Sequence, residues 1–171
     1  GRSEPLDYAK FNNLATPADQ QAFGVAMADP TRTMLGAAQR TWLFNEFKKP
    51  AKWHVLGQQV LMGRMYLPAA IATLQMTIGR YVELKTLQLR NQAGDPTLTK
   101  EELDQLTPQN LALINLPNIP YNPDAWDGYE VERYLILAEA LKNKLNLVVL
   151  AGDTHNAWAN QLSIPQDPSK P

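Results

Sequence analysis

Residues 145–155 have the sequence LNLVVLAGDTH, an apolar run that passes directly into a Gly-Asp-x-His pattern. Apolar residues on both faces predict a buried strand at the centre of a sheet, with polar residues at its carboxyl end. Gly152 leaves room for close backbone approach, and side chains alternate along extended backbone, so Asp153 and His155 are expected to point the same way. A carboxylate and an imidazole aimed together predict half of a metal site.

An alternative assigns these two residues to structure. An aspartate after a strand often caps the next helix, and a lone histidine is often a satisfied core or surface residue. As ligands, the pair suits zinc, iron or manganese, and the carboxylate also suits calcium. A hydrolytic metal needs about three protein ligands and an open position for water. The other histidine, His54, lies within a predicted strand and has no partner motif, so further ligands are expected to come from outside this chain.

The composition favours one folded domain that acts on a small molecule. The 171 residues include 16 Lys and Arg against 17 Asp and Glu, with no long basic run, so neither nucleic acid nor an anionic membrane is an expected partner. No apolar stretch approaches the length of a membrane span. The absence of cysteine excludes disulfides, thiol nucleophiles and cysteine-bound metal sites. We interpret residues 1–171 as a single partial domain and, since Gly1 is not preceded by Met, expect a longer parent protein.

Helix caps and apolar periodicity predict an α/β fold. Helices are expected at residues 17–28, 33–49, 66–92, 99–106 and 127–144, and strands at 52–63 and 145–151. Strands separated by helices indicate an α/β arrangement with the second strand central, and residues 165–171 are expected to be a frayed tail. Ligands in such sheets collect at the carboxyl ends of strands, where Asp153 and His155 fall.

The two longest predicted helices are amphipathic. The helix at 66–92 is expected to have one apolar face, formed by Leu67, Ala70, Ile71, Leu74, Ile78, Tyr81, Val82 and Leu89. The helix at 127–144 is expected to begin with a capping box and to bury Val131, Tyr134, Leu135, Ala138 and Leu141. Gly79 is the expected position of any bend in the longer helix.

Other polar residues have both a structural and a functional interpretation. Asp127, in a WDGY motif, is explained by helix capping and by packing of the two aromatic residues. Arg133 either binds a phosphate or pairs with Glu130 or Glu132. Asn156 either binds a phosphoryl oxygen or caps a short segment. Arg133 and Asn156 are therefore candidate phosphate contacts.

Two common enzyme classes are excluded by the sequence. The serines Ser3, Ser163 and Ser169 lie near the ends of the chain and none has a Gly-x-Ser-x-Gly setting, so no serine hydrolase triad is expected. No glycine-rich phosphate loop of the Walker or dinucleotide-binding type occurs. The metal site after the 145–151 strand is left as the leading candidate.

Four ordered elements resemble the alkaline phosphatase D (PhoD) family of metallophosphoesterases. They are RTMLG at 32–36 with Gln39, Trp42 and Leu43; Trp53 with Gln59 and Val60; WDGY at 126–129 with Arg133; and VLAGDTH at 149–155. The resemblance covers about residues 30–162 and is to the carboxyl-terminal part of that family's catalytic domain. Its Gly-Asp-x-His element is the one that carries chemistry.

The resemblance implies a phosphomonoesterase or phosphodiesterase that is periplasmic or secreted, with iron and calcium in its active centre. The implied fold is a sandwich of two sheets flanked by helices, in which the 66–92 helix is a family-specific insertion. Asp153 and His155 match the family's last metal ligands, whereas the earlier ligands, an aspartate, an asparagine and often a cysteine, precede this region. We therefore expect the chain alone to be an inactive fragment of a hydrolase whose metals activate the attacking water.

A rival interpretation from a different class is a non-enzymatic helical module. In this interpretation the 66–92 helix buries its apolar face against a partner, which includes the case of a homo-oligomer, and Asp153 is only a cap. The two hypotheses differ in metal content, because only the enzyme needs a tightly bound metal ion.

Overall fold

The computed structural model describes residues 2–153, 155 and 157–164, and these form two units. Unit 1 contains the residues up to Leu6, Gly24–Met65 and the residues from Asn122 onward; unit 2 contains Asp7–Phe23 and Tyr66–Tyr121. The predicted frayed tail at residues 165–171 lies outside the described residues.

The described residues combine helices with short strands in two small sheets, which confirms the predicted α/β class. The helices are α1 (Pro17–Met27), α2 (Ala37–Phe47), α3 (Ala69–Ala72), α4 (Ile78–Gln92), α5 (Lys100–Leu103), α6 (Pro108–Ile114) and α7 (Glu130–Lys142). The strands are β1 (His54–Gln58), β2 (Tyr66–Pro68), β3 (Asn118–Pro120) and β4 (Leu147–Ala151). Two segments are 3-10 turns, Tyr8–Leu14 and Trp126–Tyr129. None of the helices in the described ranges combines the length and apolar character that a bilayer crossing needs.

Two helix starts that the sequence marks with caps, those of α1 and α5, are present in the structure. Thr16 and Asp19 bond to each other's backbone N–H groups at the start of α1. Thr99 and Glu102 form the complete capping box of α5, with both reciprocal hydrogen bonds. These predictions are confirmed because a capping box satisfies backbone donors with side chains only three residues away.

The strands of unit 1 pair in parallel, β1 with β4, from His54 beside Leu147 to Gln58 beside Ala151. One face of this pair packs against a buried cluster formed by Leu43, Phe47, Met62, Trp126, Ile136, Leu137 and Ala140. The opposite face is apolar and exposed: Val55 is 61% exposed and Leu150 is 57% exposed. Within the described residues β4 therefore has one strand neighbour and one covered face, so its predicted burial on both faces is wrong for this chain.

Helix α7 buries a different face from the predicted one. Its buried residues are Glu132, Arg133, Ile136, Leu137 and Ala140. Tyr134, Leu135 and Leu141, which were expected to be buried, are exposed, so that prediction was wrong. Charged residues are buried only when they have polar partners. The partners of Glu132 and Arg133 lie elsewhere in unit 1.

The single helix predicted at 66–92 is divided in the structure of unit 2. The segment begins as β2, which pairs antiparallel with β3, and continues through α3 to a break before α4. Leu74 has a φ of 58°, and the Thr77 side chain accepts a hydrogen bond from the Arg80 backbone N–H as the N-cap of α4. A continuous helix was therefore wrong, because a left-handed residue and a new N-cap interrupt it.

Much of the apolar face predicted for this helix is exposed, although its Ala70 is buried. Helix α4 buries Leu84, Leu87 and Gln88, whereas Ile78, Val82 and Leu89 are exposed. The buried glutamine is satisfied, since its side chain accepts a hydrogen bond from the Lys85 amine and donates one to Asn115. Helix α4 therefore has an exposed stripe of apolar residues besides its buried face.

Candidate functional site

The candidate site lies in unit 1, at the carboxyl ends of β1 and β4. Because the strands are parallel, both ends meet at one edge, which is where ligands bind in sheets of this kind. Pairing continues for one step past the strands, with the Gly152 N–H donating to the Gln59 carbonyl oxygen over 3.2 Å. Asp153 and His155 follow this bond directly, and both are exposed.

The backbone of these two residues is not extended. The strand ends at Ala151, and φ is 71° at Asp153 and 54° at His155, both in the left-handed region. The extended backbone that was expected at these residues is therefore wrong, and a common direction of the two side chains stays a prediction. Among the described residues, no atom lies within 4 Å of the position that a Cβ at Gly152 would take, so none of them requires glycine there.

The donor types at the site fit a metal ion, since carboxylate and imidazole are the ligands that iron, zinc and manganese accept. Both groups are accessible to an incoming ion. Within the described residues, however, no cluster of three or more His, Asp or Glu side chains could complete a coordination shell. Asp153 and His155 as metal ligands stay a prediction, and Asn156 as a phosphate contact lies outside the described residues.

Arg133 is a buried cation, only 3% exposed. Its Nε donates to the Met62 carbonyl oxygen over 2.8 Å, and its Nη1 donates to the Ser163 carbonyl oxygen over 3.4 Å. The glutamates that were considered as its partners pair with other arginines: Glu130 with Arg64 and Glu132 with Arg40. Arg133 as a phosphate contact stays a prediction.

Glu132 is the most enclosed charged residue of unit 1, and it was missed as a key residue in the sequence. It is 1% exposed and accepts hydrogen bonds from the Thr33 hydroxyl (2.7 Å), the Met34 and Leu35 N–H groups (2.5 and 3.0 Å) and the Arg40 guanidinium (3.0 Å). It therefore holds the RTMLG motif in place. The available signal was spacing, because Glu132 precedes the buried Ile136 by one helical turn.

Asp127 is buried, at 3% exposure, and does not cap α7 as predicted. The N-cap residue is Tyr129, and it makes no side-chain cap bond. Instead, Asp127 Oδ2 accepts a hydrogen bond from the Met65 N–H over 2.7 Å, while Oδ1 has no hydrogen-bond partner among the described residues. Desolvation raises the pKa of Asp127 to about 6, although the Met65 bond and the charges of Arg133 and Arg64 act in the opposite direction.

The residue after Asp127 must be glycine. A Cβ at Gly128 would lie 1.8 Å from the Pro123 carbonyl oxygen, which is a backbone atom that cannot turn away. The Arg32 guanidinium donates to the Gly128 carbonyl oxygen over 3.1 Å and lies over the Tyr129 ring. The WDGY motif is therefore a tightly packed corner of unit 1.

Replacing Asp127 by asparagine is expected to remove one pH dependence of stability. The pKa of this carboxyl in the fold, about 6, lies above its ordinary value of 3.8, so its contribution is fully present below about pH 4 and is lost as pH rises through 6. At about 1.36 kcal/mol per pKa unit, the ionised group costs the fold about 3 kcal/mol at pH 8. The side chain of the Asp127→Asn variant cannot ionise, and its amide oxygen can still accept the Met65 hydrogen bond.

Urea unfolding of both proteins at pH 4, 6 and 8 measures this effect. All other titrating groups are common to the two proteins, including Arg64, Glu130 and Arg133, whose charges act on residue 127. The free energy of unfolding of Asp127→Asn relative to the parent chain is expected to increase from pH 4 to pH 8. If the difference in free energy of unfolding between the two proteins stayed constant from pH 4 to pH 8, the raised pKa of Asp127 would be contradicted.

Comparisons with known proteins agree on one family. A family model described as PhoD-like phosphatase matches residues 5–171. Alkaline phosphatase D of Bacillus subtilis (strain 168) is 25% identical over 160 residues, which cover 92% of this chain and 18% of that relative. The chain therefore spans less than a fifth of the length of the curated relative that it matches. No solved structure matches the chain significantly.

Proposed function

The chain belongs to the PhoD-like phosphatase family, and from this premise we propose that it is part of a metal-dependent phosphoester hydrolase of the alkaline phosphatase and phosphodiesterase type. The observation that carries the proposal is the family match over residues 5–171, which includes the Gly-Asp-x-His element. The substrate is a small phosphate ester, and neither nucleic acid nor a membrane is a partner. The protein acts in the periplasm or outside the cell.

In the proposed site Asp153 and His155 hold metal. Iron and calcium are the proposed ions, with zinc or manganese as alternatives. A carboxylate with an imidazole suits iron, zinc or manganese, and the carboxylate also suits calcium. A metal ion supplies Lewis-acid polarisation of the phosphoryl group and makes the attacking water more acidic. Asn156 is the proposed phosphate contact, and Arg133, which donates to the Met62 and Ser163 carbonyl oxygens, is the alternative candidate. In this proposal, nearby cationic or amide donors stabilise the phosphoryl charge.

We further infer that the remaining ligands come from another part of the same catalytic domain. The chain spans only 18% of its curated relative, and β4 has an exposed apolar face that includes Val148 and Leu150. Burying these side chains stabilises a larger domain by about 1.5–3 kcal/mol for each fully buried residue. The missing part of the domain is therefore the proposed partner of this face, and the isolated chain is expected to be inactive.

The proposal is tested with the complete protein that contains this chain. It should hydrolyse p-nitrophenyl phosphate or its bis ester, and whichever ester is turned over identifies a monoesterase or a diesterase. Chelation should remove this activity, and re-addition of metal should restore it. Absence of turnover on both esters with metal supplied, or activity that survives exhaustive chelation, would contradict the proposed function.

A second candidate function is supported by helix α4, which exposes the apolar residues Ile78, Val82 and Leu89. A second copy of the chain would bury these residues by binding to this side of the helix. Under this hypothesis the protein is an oligomerisation module without catalysis. Sedimentation of the parent chain and of Val82→Glu separates the two functions when it is combined with metal analysis. A metal-free dimer that Val82→Glu dissociates favours the module, and a tightly bound metal favours the hydrolase.

A further inference from the structure

Three charged residues on the 3-10 turn and α7 hold the segment that follows β1. Arg133 Nε binds the Met62 carbonyl oxygen (2.8 Å), Glu130 pairs with Arg64 (2.9 Å), and Asp127 Oδ2 accepts from the Met65 N–H (2.7 Å). Residues 127, 130 and 133 are spaced three apart, so they lie on one side of the helical segment. Residues 62–65 are thus fixed at three points by one side of the helical segment.

Arg133 also binds the segment that follows β4. Its Nη1 donates to the Ser163 carbonyl oxygen, so one guanidinium joins two backbone segments that are distant in sequence. The same two segments touch at Gly63, where a Cβ would lie 2.4 Å from the Asn160 side-chain nitrogen. Met62 and Gly63 lie three and four residues after Gln59, whose carbonyl oxygen accepts a hydrogen bond from the Gly152 N–H, next to Asp153.

We propose that Arg133 is a positioning residue, which ties the chain after His155 to the segment after β1 and thereby sets where Asp153 and His155 lie. The proposal rests on the proposed function, because it concerns the same site. Ser163 follows His155 by eight residues, so an anchor at Ser163 limits the conformations of the chain between them and thereby those of the segment that carries both ligands. A planar guanidinium with separate Nε and Nη donors can serve two carbonyl groups, whereas a lysine amine is a single point donor.

A positioning residue and a phosphate contact differ in which binding constant changes when the residue is mutated. A residue that orients the metal ligands without touching the metal affects metal affinity. Its mutation typically weakens metal binding by about 10–100-fold. A residue that touches the substrate affects phosphate binding even when metal is saturating. The two roles can therefore be separated by titrating metal and phosphate independently.

The test uses the complete protein as parent, Arg133→Lys, and the matched control Arg80→Lys, whose arginine lies in unit 2 and pairs with Glu83. Manganese binding to chelator-treated protein is measured by calorimetry, and inorganic phosphate is measured as an inhibitor at saturating manganese. Amide hydrogen exchange in residues 157–164 is a third readout, which needs neither metal nor activity.

Arg133→Lys is expected to weaken manganese binding about 10–100-fold, to leave the phosphate inhibition constant within about twofold, and to speed exchange in residues 157–164. Arg80→Lys is expected to match the parent in all three. Unchanged manganese affinity, with or without weaker phosphate inhibition, would overturn the proposal, as would unchanged exchange. If the parent protein binds no metal while exchange still increases, the proposed function fails and the anchoring role of Arg133 stands.

A second pair of variants keeps the test valid if Arg133→Lys does not fold. Gly63→Ala places a methyl group against Asn160 and is expected to displace the same segment, weakening manganese binding. Adding Asn160→Ala removes the two closest atoms, at 2.4 and 2.7 Å, and is expected to restore most of the affinity. Full manganese affinity in Gly63→Ala alone would show that the contact between the two segments does not set the site.

Discussion

Asp153→Ala in the complete protein is expected to abolish hydrolysis of p-nitrophenyl phosphate and of its bis ester, with kcat/KM reduced by at least about a thousandfold. Metal ions supply several kcal/mol of transition-state stabilisation in such reactions, and about 1.4 kcal/mol corresponds to a factor of ten. The fold is expected to persist because Asp153 is exposed. Assays over a range of substrate concentrations, together with a thermal melt, measure the two effects separately.

The conformation of Asp153 calls for a second variant. Its φ is 71°, a region that Asp and Asn tolerate better than Ala, so Asp153→Asn removes the charge with less backbone strain. Asp153→Asn should lose activity almost as completely, while Asp104→Ala, which removes an exposed carboxylate paired with Lys100, should retain it. Parental activity in Asp153→Ala and Asp153→Asn would exclude a ligand role for this residue.

Glu132→Ala is expected to destabilise unit 1 by about 3–5 kcal/mol, the range found when one partner of a buried ion pair is removed. The substitution leaves the Arg40 guanidinium unpaired and deprives the Met34 and Leu35 N–H groups of their acceptor. Each buried donor left without a partner costs about 1–3 kcal/mol. Urea unfolding, followed by tryptophan fluorescence, measures the loss.

Glu83→Ala is the matched control for this prediction. Glu83 also pairs with an arginine, Arg80, over 2.7 Å, but its side chain is half exposed. Exposed ion pairs contribute about 0–1 kcal/mol, so the control is expected to lose less than about 1 kcal/mol. Equal losses in Glu132→Ala and Glu83→Ala would mean that the four hydrogen bonds of Glu132 do not hold the RTMLG motif.

The parts of the fold that could be predicted from sequence are those that depend on near neighbours. The starts of α1 and α5 were found because their capping partners lie three residues apart. The 145–151 strand was found from its apolar run, and in the structure it extends over Leu147–Ala151. Short-range signals of this kind involve interactions that are complete within one turn or one strand.

The errors concern residues whose environment is set by distant parts of the chain. Glu132 and Arg133 are buried because Thr33 and Met62, more than 70 residues earlier in sequence, provide their partners. An analysis of periodicity excludes charged residues from a buried face, which is why the face of α7 was assigned incorrectly. Asp127 has a correct capping sequence but bonds to Met65 instead, because tertiary contacts override a local preference.

The site itself could be predicted only in part. The structure places the Gly-Asp-x-His element directly after β4, as predicted, because the apolar run marks where that strand ends. Its role as a metal site stays a prediction. The direction of the two side chains could not be predicted, since positive φ values at Asp153 and His155 replace the regular alternation of a strand. Arg133 was identified as a candidate, but its contacts with two backbone carbonyl groups depend on the folded arrangement of unit 1.

Metal content tests the central claim most directly. The complete protein, its Asp153→Ala variant and its His155→Ala variant should be dialysed against metal-free buffer and analysed by inductively coupled plasma mass spectrometry. We predict tightly bound, stoichiometric metal in the parent protein and a loss of metal in each variant, because each removes one ligand from a shared ion. A metal-free parent protein, or parental stoichiometry in both variants, would contradict the assignment of these residues as metal ligands.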